Sequence, residues 1–168
     1  MINVSVRLAV AADEPFLWAM LFEASHAAET GMTSPDELRV MPELTRYVEK
    51  WGLPTDLGVI GELDGEPLGA AWVRLLTGDD AGYGYLDHET PELAIGVAPQ
   101  ARGSGVGTAM LARLLTETET QWAAISLSVR DTNPAKRLYE RLGFVDVSGR
   151  RIVNRVGTTS STMVRRLR

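Results

Sequence analysis

The chain contains no cysteine. Disulfides, thiolate metal sites and a cysteine nucleophile are therefore excluded together. Only two histidines occur, His26 and His88, and only two lysines, Lys50 and Lys136. That leaves too little imidazole for a zinc site, so the chemistry must come from oxygen groups and the main chain. No run of about 18 apolar residues is present, and the opening MINVSVRLAV lacks the basic segment, long apolar core and cleavage site of a secretory signal. These absences lead us to expect a soluble, cytoplasmic protein with no bound metal and no membrane contact.

The chain has 168 residues, 45% of them hydrophobic. A chain of this length buries roughly 70% of its unfolded surface, enough for one well-packed core. One domain spanning residues 1–168 is the expectation. The net charge of -5 conceals an uneven distribution. Residues 1–100 carry 17 acidic and 5 basic side chains, or -12, while residues 101–168 carry 5 acidic and 12 basic, or +7. Two solvated surfaces would explain this; the sharper reading is that one half holds an anion and the other attracts a cation. Six arginines follow residue 149. Overall acidity and the lack of interleaved aromatics argue against nucleic acid and for a solvated strand end or subunit contact.

VSVRLAV alternates as a strand, and Asp13 is placed to cap a helix of about 15 residues carrying Phe16, Leu17, Met20 and Leu21. Ser34, Pro35 and Glu37 form a capping-box pattern, and Pro42 interrupts the helix they open before Gly52 ends the region. DLGVIGELDGEPLGAAWVRLL reads as a hairpin turning at Asp64-Gly65. The glycine-rich TGDDAGYGYLDHETP is too long for a simple turn and is expected to cover a site. In ELAIGVAP, Leu93, Ile95 and Val97 share one face, while Ala94 and Gly96 leave the other nearly flat and open to close approach.

Val106, Met110, Leu111, Leu114 and Leu115 then make a helical stripe. AAISLSV is a strand, Asn133-Pro134 starts a short helix that Gly143 ends, and FVDVSG and TTSSTMVRRL close the chain as strands. The trpytophan residues Trp18, Trp51, Trp72 and Trp122 read as core or interface anchors. The element order implies an α/β layer around a mixed sheet.

The stretch QARGSGVGTAM, residues 100–110, places three glycines after an arginine and before a helix. Bare backbone at a helix start presents unpaired N–H groups at the positive end of the dipole, which suits an anion. Arg102 adds a planar charged fork. A phosphate-binding P-loop is excluded because no lysine follows the last glycine, and the dinucleotide fingerprint fails because the third glycine comes one position early.

RGSGVG (102–107), preceded by ELAIGVAPQA and followed by NPAKRLYERLGF (133–144), resembles the GCN5-related N-acetyltransferase superfamily. The resemblance implies a single-domain α/β fold with a mixed, mostly antiparallel sheet flanked by helices on both faces. It implies acetyl-CoA as cosubstrate, with Arg102, Gly103, Ser104, Gly105, Val106, Gly107 and Thr108 around the pyrophosphate. Ile95, Gly96 and Val97 would lie beside the thioester and Asn133 near the cofactor arm. Tyr139 takes the place of the family's general acid, and Glu92 is the candidate base; plain core packing for Tyr139 and an exposed strand-end charge for Glu92 are the competing readings. His88, Tyr83, Tyr85 and Asp87 belong near the acceptor side or simply to a solvated loop, and His26 reads as packed or superficial. The family's next strand splays away to open a wedge, which sequence cannot reveal.

The implied activity is acetyl transfer to a primary amine by direct attack in a ternary complex. The acceptor would be a small molecule or peptide, cationic if the acidic first half surrounds it. Many relatives pair through a sheet edge, so a homodimer is also an expectation. The alternative is a non-catalytic acyl-CoA sensor, which would keep Arg102 and the glycines without needing Glu92 or Tyr139.

Overall fold

The computed structural model describes residues 2–153 and 157–168. In chain order the elements are β1 (Val4–Leu8), α1 (Glu14–Ala24), α2 (Pro42–Thr45), β2 (Leu57–Leu63), β3 (Glu66–Arg74), β4 (Glu92–Val97), α3 (Val106–Thr118), β5 (Ala124–Arg130), α4 (Ala135–Arg141), β6 (Val145–Val153) and β7 (Thr159–Arg166). This is the order read from the sequence. The strands form a seven-stranded sheet in the order β1-β2-β3-β4-β5-β7-β6. Every neighbouring pair is antiparallel except β4 and β5. The β2–β3 hairpin turns where expected, with φ of 51° at Asp64 and 84° at Gly65.

Small residues decide how closely the helices approach this sheet. A Cβ added at Gly69 would stand 2.8 Å from the Met110 Cε of α3. One at Gly96 would overlap the Met20 carbonyl oxygen of α1. Gly69 pairs with Val97, the neighbour of Gly96, so α3 and α1 lie on opposite faces of the sheet. The flat side of β4 at Gly96 is thus filled by the backbone of α1, which makes the close approach that the bare strand face invites. On α3 the predicted stripe holds, with Val106, Met110, Leu111 and Leu114 buried, and Arg113 and Glu117 pair at 2.8 Å on the outer side.

The first third departs from its sequence reading. Helix α1 has 11 residues, and the Asp13 side chain makes no cap to it. Asp13 instead accepts from the Val10 N–H and holds Arg7 through a bidentate pair at 2.9 Å. Ser34 does cap, accepting from the Asp36 N–H, but the segment Pro35–Val40 is a 3-10 helix. Pro42 then starts α2, only four residues long. What fixes the turns after α2 is Arg74, buried at 3% exposure beside Asp56 at 2%. Its guanidinium makes two 2.8 Å bonds to that carboxylate and donates to the Arg46, Val48 and Glu49 carbonyls. A fully bonded buried pair of this kind sets one arrangement of the chain, because any alternative leaves a charge unmatched.

Trp18 and Trp72 are core residues, and Trp72 donates its indole N–H to the Tyr47 carbonyl. Among the late arginines, Arg150 donates to the Tyr85 carbonyl, Arg151 pairs with Asp131 and Arg165 donates to the Leu142 carbonyl, while Arg155 lies outside the described residues. No helix among the described residues is long and apolar enough to cross a membrane.

Gly96→Ala should destabilise the protein by about 1–3 kcal/mol or more, since the new methyl group meets rigid backbone and cannot be relieved by a rotamer change. Urea unfolding of the variant measures this, and unchanged stability would refute the close α1 contact.

Candidate active site

Beyond Glu92, β4 and β5 separate. Their parallel ladder consists of the single pair Glu92↔Ser126. Each strand is nevertheless held on its outer side, β4 by six pairs to β3 and β5 by seven to β7. The inner edge of β4 from Leu93 onward therefore has no strand partner, which is the wedge that the sequence could not disclose. A cavity of about 740 Å³ opens there. Glu92, Ile95, Gly96, Val97, Arg102, Gly103, Gly105, Val106, Gly107, Thr108, Asn133 and Tyr139 all line it. Of the residues assigned from sequence to catalysis or to the cosubstrate, Ser104 alone does not. Its hydroxyl donates to the Ala101 carbonyl and accepts the Val106 N–H, shaping the turn.

The glycine loop reaches its shape through positive φ, 79° at Gly103 and 90° at Gly105. Among the described residues, the N–H groups of Gly103, Gly105, Gly107 and Thr108 have no protein acceptor. Four donors thus gather at the N-terminus of a 13-residue helix, bordering the cavity. Gly107 has an ordinary φ, and a Cβ there would meet only Val97 Cγ2, at 4.0 Å. Neither strain nor the protein's own packing calls for a glycine at that position. Arg102 pairs with Glu23 of α1 at 3.2 Å, and Arg130 pairs with Glu29 at 2.6 Å. Both carboxylates line the cavity, so acidic groups of the first half meet basic groups of the second across its mouth.

Glu92 is 4% exposed. Its Oε2 accepts the Tyr47 hydroxyl at 2.5 Å, while Oε1 is sealed and has no hydrogen bond of ordinary geometry. Burial pushes its pKa up from 4.5 to about 7, against opposing pulls from the Tyr47 hydroxyl, the nearby Gly84 N–H and the Arg46 charge. Tyr47 is itself fixed, since its hydroxyl accepts the Tyr83 N–H at 3.0 Å. The glycine-rich connection closes on this pair. A Cβ at Gly82 would stand 2.5 Å from the Tyr47 Oη, and one at Gly84 would stand 2.6 Å from the Leu127 carbonyl carbon. Tyr139 is buried edge-on against Phe144, with ring centroids 5.9 Å apart. Its hydroxyl has no hydrogen-bond partner among the described residues, and burial raises its pKa to about 12, so it carries its proton at neutral pH. Asn133 accepts the Ala135 N–H at 2.9 Å, capping α4 at the rim of the cavity.

Sequence reasoning missed Tyr47, Glu23, Glu29 and Arg130. Only the Glu92 side chain could have suggested Tyr47, because a buried carboxyl needs a donor, but 45 residues separate them. His26 also lines the cavity, with its Nδ1 3.7 Å from Glu29. His88 does not; it stays exposed, 3.0 Å from the Tyr85 hydroxyl. Asp87 accepts from the Thr90 hydroxyl and the Glu89 N–H, holding the end of the loop.

A mixed sheet that parts in its middle, with a row of free amides at one side of the gap and a buried acid and phenol within it, defines an α/β fold with an open strand edge beside a helix start that suits an anion. The profile of the Acetyltransferase (GNAT) family matches residues 18–144, and the chain belongs to that family. Mycothiol acetyltransferase of Cellulomonas flavigena is 31% identical over 149 residues, covering 84% of this chain and 40% of that protein. The enzyme of the same name from Streptomyces avermitilis is 28% identical over 146 residues, covering 84% and 43%. The chain thus spans well under half the length of these curated relatives. Among solved structures, an N-acetyltransferase from Staphylococcus aureus superposes with a TM-score of 0.70 at 19% identity, covering 99% of both chains. yncA from Salmonella typhimurium, solved with its cofactor acetyl-CoA, gives 0.69 at 20% identity, covering 98% of this chain and 94% of that one. At such identities these likenesses establish the fold.

The raised pKa of Glu92 gives the stability a definite pH dependence. The unfolded chain releases this proton near pH 4.5 and the folded chain near 7. Ionisation of the group therefore leaves stability unaffected below about pH 4.5, lowers it as pH rises from there to about 7, by about 3 kcal/mol in all, and changes it no further above that. Glu92→Gln should be more stable than the parent at pH 8 and nearly equal to it at pH 4, as measured by urea unfolding across that range. A pH-independent difference would contradict a desolvated carboxyl.

Proposed function

We propose that the protein transfers an acetyl group from acetyl-CoA to a primary amine by direct attack while both substrates are bound. The observation that carries this reading is the position of one cavity, which joins the free N–H row of Gly103, Gly105, Gly107 and Thr108 to Glu92 and Tyr139 through the parted strand edge. The donors suit a diphosphate, and the bare Gly107 leaves the space that a phosphate next to main chain requires. Arg102 is mostly exposed and can turn from Glu23 to the phosphate oxygens. When bound, acetyl-CoA supplies an activated acetyl thioester; the unpaired edge of β4 from Leu93 to Val97 lies where its arm would run.

Glu92 accepts a proton from the incoming amine, directly or through water, because a carboxyl with a pKa of about 7 is part ionised at neutral pH and still basic enough to take one. Tyr47 keeps that carboxylate in place through the bond to Oε2, and the sealed Oε1 has no competing donor. A main-chain N–H near Val97 polarises the carbonyl under attack. As the amine nitrogen bonds to the carbonyl carbon and the carbon–sulfur bond breaks, Tyr139 protonates the departing sulfur.

Two variants test the two halves of this reading. Gly107→Ala should leave the unliganded protein as stable as the parent or up to about 1 kcal/mol more so, since the helix gains alanine and meets no clash. It should nonetheless weaken coenzyme A binding at least tenfold by calorimetric titration, and undiminished affinity would remove the loop from the site. Tyr139→Phe should lower the rate of thiol release by about 10²–10⁴-fold while sparing coenzyme A affinity. Undiminished turnover would take Tyr139 out of the mechanism, and binding without thiol release in the parent protein would favour an acyl-CoA sensor.

A further inference from the structure

A second cavity, of about 360 Å³, lies on the other side of the glycine-rich connection. Arg46, from the turns after α2, and Arg150, from β6, both line it, although they are 104 positions apart in sequence. Each guanidinium is aimed by main-chain carbonyls. Arg46 donates to Pro42 and Ala81, and Arg150 donates to Tyr85 at 2.9 Å. Among the described residues neither forms an ion pair with a carboxylate. A guanidinium has five N–H donors, so both retain donors for an outside anion. Glu43 lines the same cavity as its single acidic group, leaving a net positive lining.

The wall between this cavity and the large one is thin. Gly82 lines the smaller cavity, and a Cβ there would stand 3.0 Å from Glu92 Cδ and 2.5 Å from the Tyr47 Oη, so this residue lies against the proposed base. Tyr83, next in the chain, lines both cavities. In the large cavity Arg102 and Arg130 each pair with a glutamate, and Arg102 is the cation that the acetyl-transfer reading gives to the phosphates of the cosubstrate.

We propose that the smaller cavity is an anion subsite for the acceptor, in which Arg46 and Arg150 hold a carboxylate or phosphate carried by the amine substrate, with its amine directed past Tyr83 toward Glu92. The inference rests on the acetyl-transfer reading and replaces the cationic acceptor suggested by composition. Of the acidic groups behind that expectation, the two at the mouth of the large cavity already have partners, Glu23 with Arg102 and Glu29 with Arg130.

Thiol release from acetyl-CoA, measured with matched amines, tests it. Phosphoethanolamine against ethanolamine varies the phosphate alone, and glycine against glycinamide varies the carboxylate alone. At least one anionic member should show a KM about tenfold or more below its neutral partner, and which pair responds separates phosphate from carboxylate. Arg150→Gln, a change at an exposed position, should close that gap by raising the KM of the anionic member. Equal KM values within both pairs, or a gap that survives Arg150→Gln, would overturn the subsite while leaving acetyl transfer intact. Absence of thiol release with every amine would instead count against the acetyl-transfer reading. Calorimetric titration of the full chain with phosphoethanolamine and ethanolamine then decides the subsite independently, with tighter phosphoethanolamine binding supporting it and equal binding refuting it.

Discussion

The structure depends on a parallel strand pair that stops after one residue pair. Parallel strands inside a sheet ordinarily continue their ladder, since each unmade main-chain bond in a buried place is costly. Here the cost is limited because β4 and β5 are each anchored outward, to β3 and to β7. The connection before β4 contributes as well. It lays Gly84 against the β5 main chain at Leu127 and Ser128, the residues immediately past Ser126. The gap therefore does not require a distorted strand. It follows from two well-paired half-sheets that meet at one point, and it leaves an edge of polar main chain along which an extended ligand can lie.

Electrostatics around that gap are less lopsided than the charge distribution implies. The first 100 residues are strongly acidic and the remainder basic, and at the cavity mouth the two meet as Glu23–Arg102 and Glu29–Arg130. Partly exposed pairs such as these contribute no more than about 1 kcal/mol each. They can be exchanged for a ligand's phosphate at small cost. Glu92 behaves oppositely. Arg46 acts on it by charge without forming an ion pair, so burial dominates and pushes its pKa up to about 7. One cavity thus contains a weakly committed cation and an uncompensated acid, and the difference between them is solvent exposure.

Much of the fold and half of the site could be read from the sequence because the signals are local. Asp64-Gly65, the Gly103 and Gly105 turn, and the Asn133-Pro134 helix start each depend on a few adjacent residues. Predictions failed where a competing partner changed the outcome. Asp13 looked like a helix cap until Arg7 and the Val10 N–H claimed its carboxylate. The interruption at Pro42 was legible, but the helical pattern that resumes there stops at Thr45, and Arg74 draws the following carbonyls to itself. Tyr47 and the convergence of Arg46 with Arg150 could not be anticipated, because each is created by tertiary packing across dozens of residues.

The glycines show the same distinction at the level of single residues. Gly103 and Gly105 are needed for positive φ, which the spacing before a helix announces. Gly69 and Gly96 admit a helix on either face, a need that belongs to the partner helix and is invisible in the strand itself. Gly107 has ordinary torsion angles and open space beside it, so the protein makes no demand there at all. A glycine that neither the backbone nor the packing requires, placed among unpaired amides at a helix start, points to something outside the chain that must come close. That argument identifies a ligand's place from the absence of any internal reason for the residue beside it.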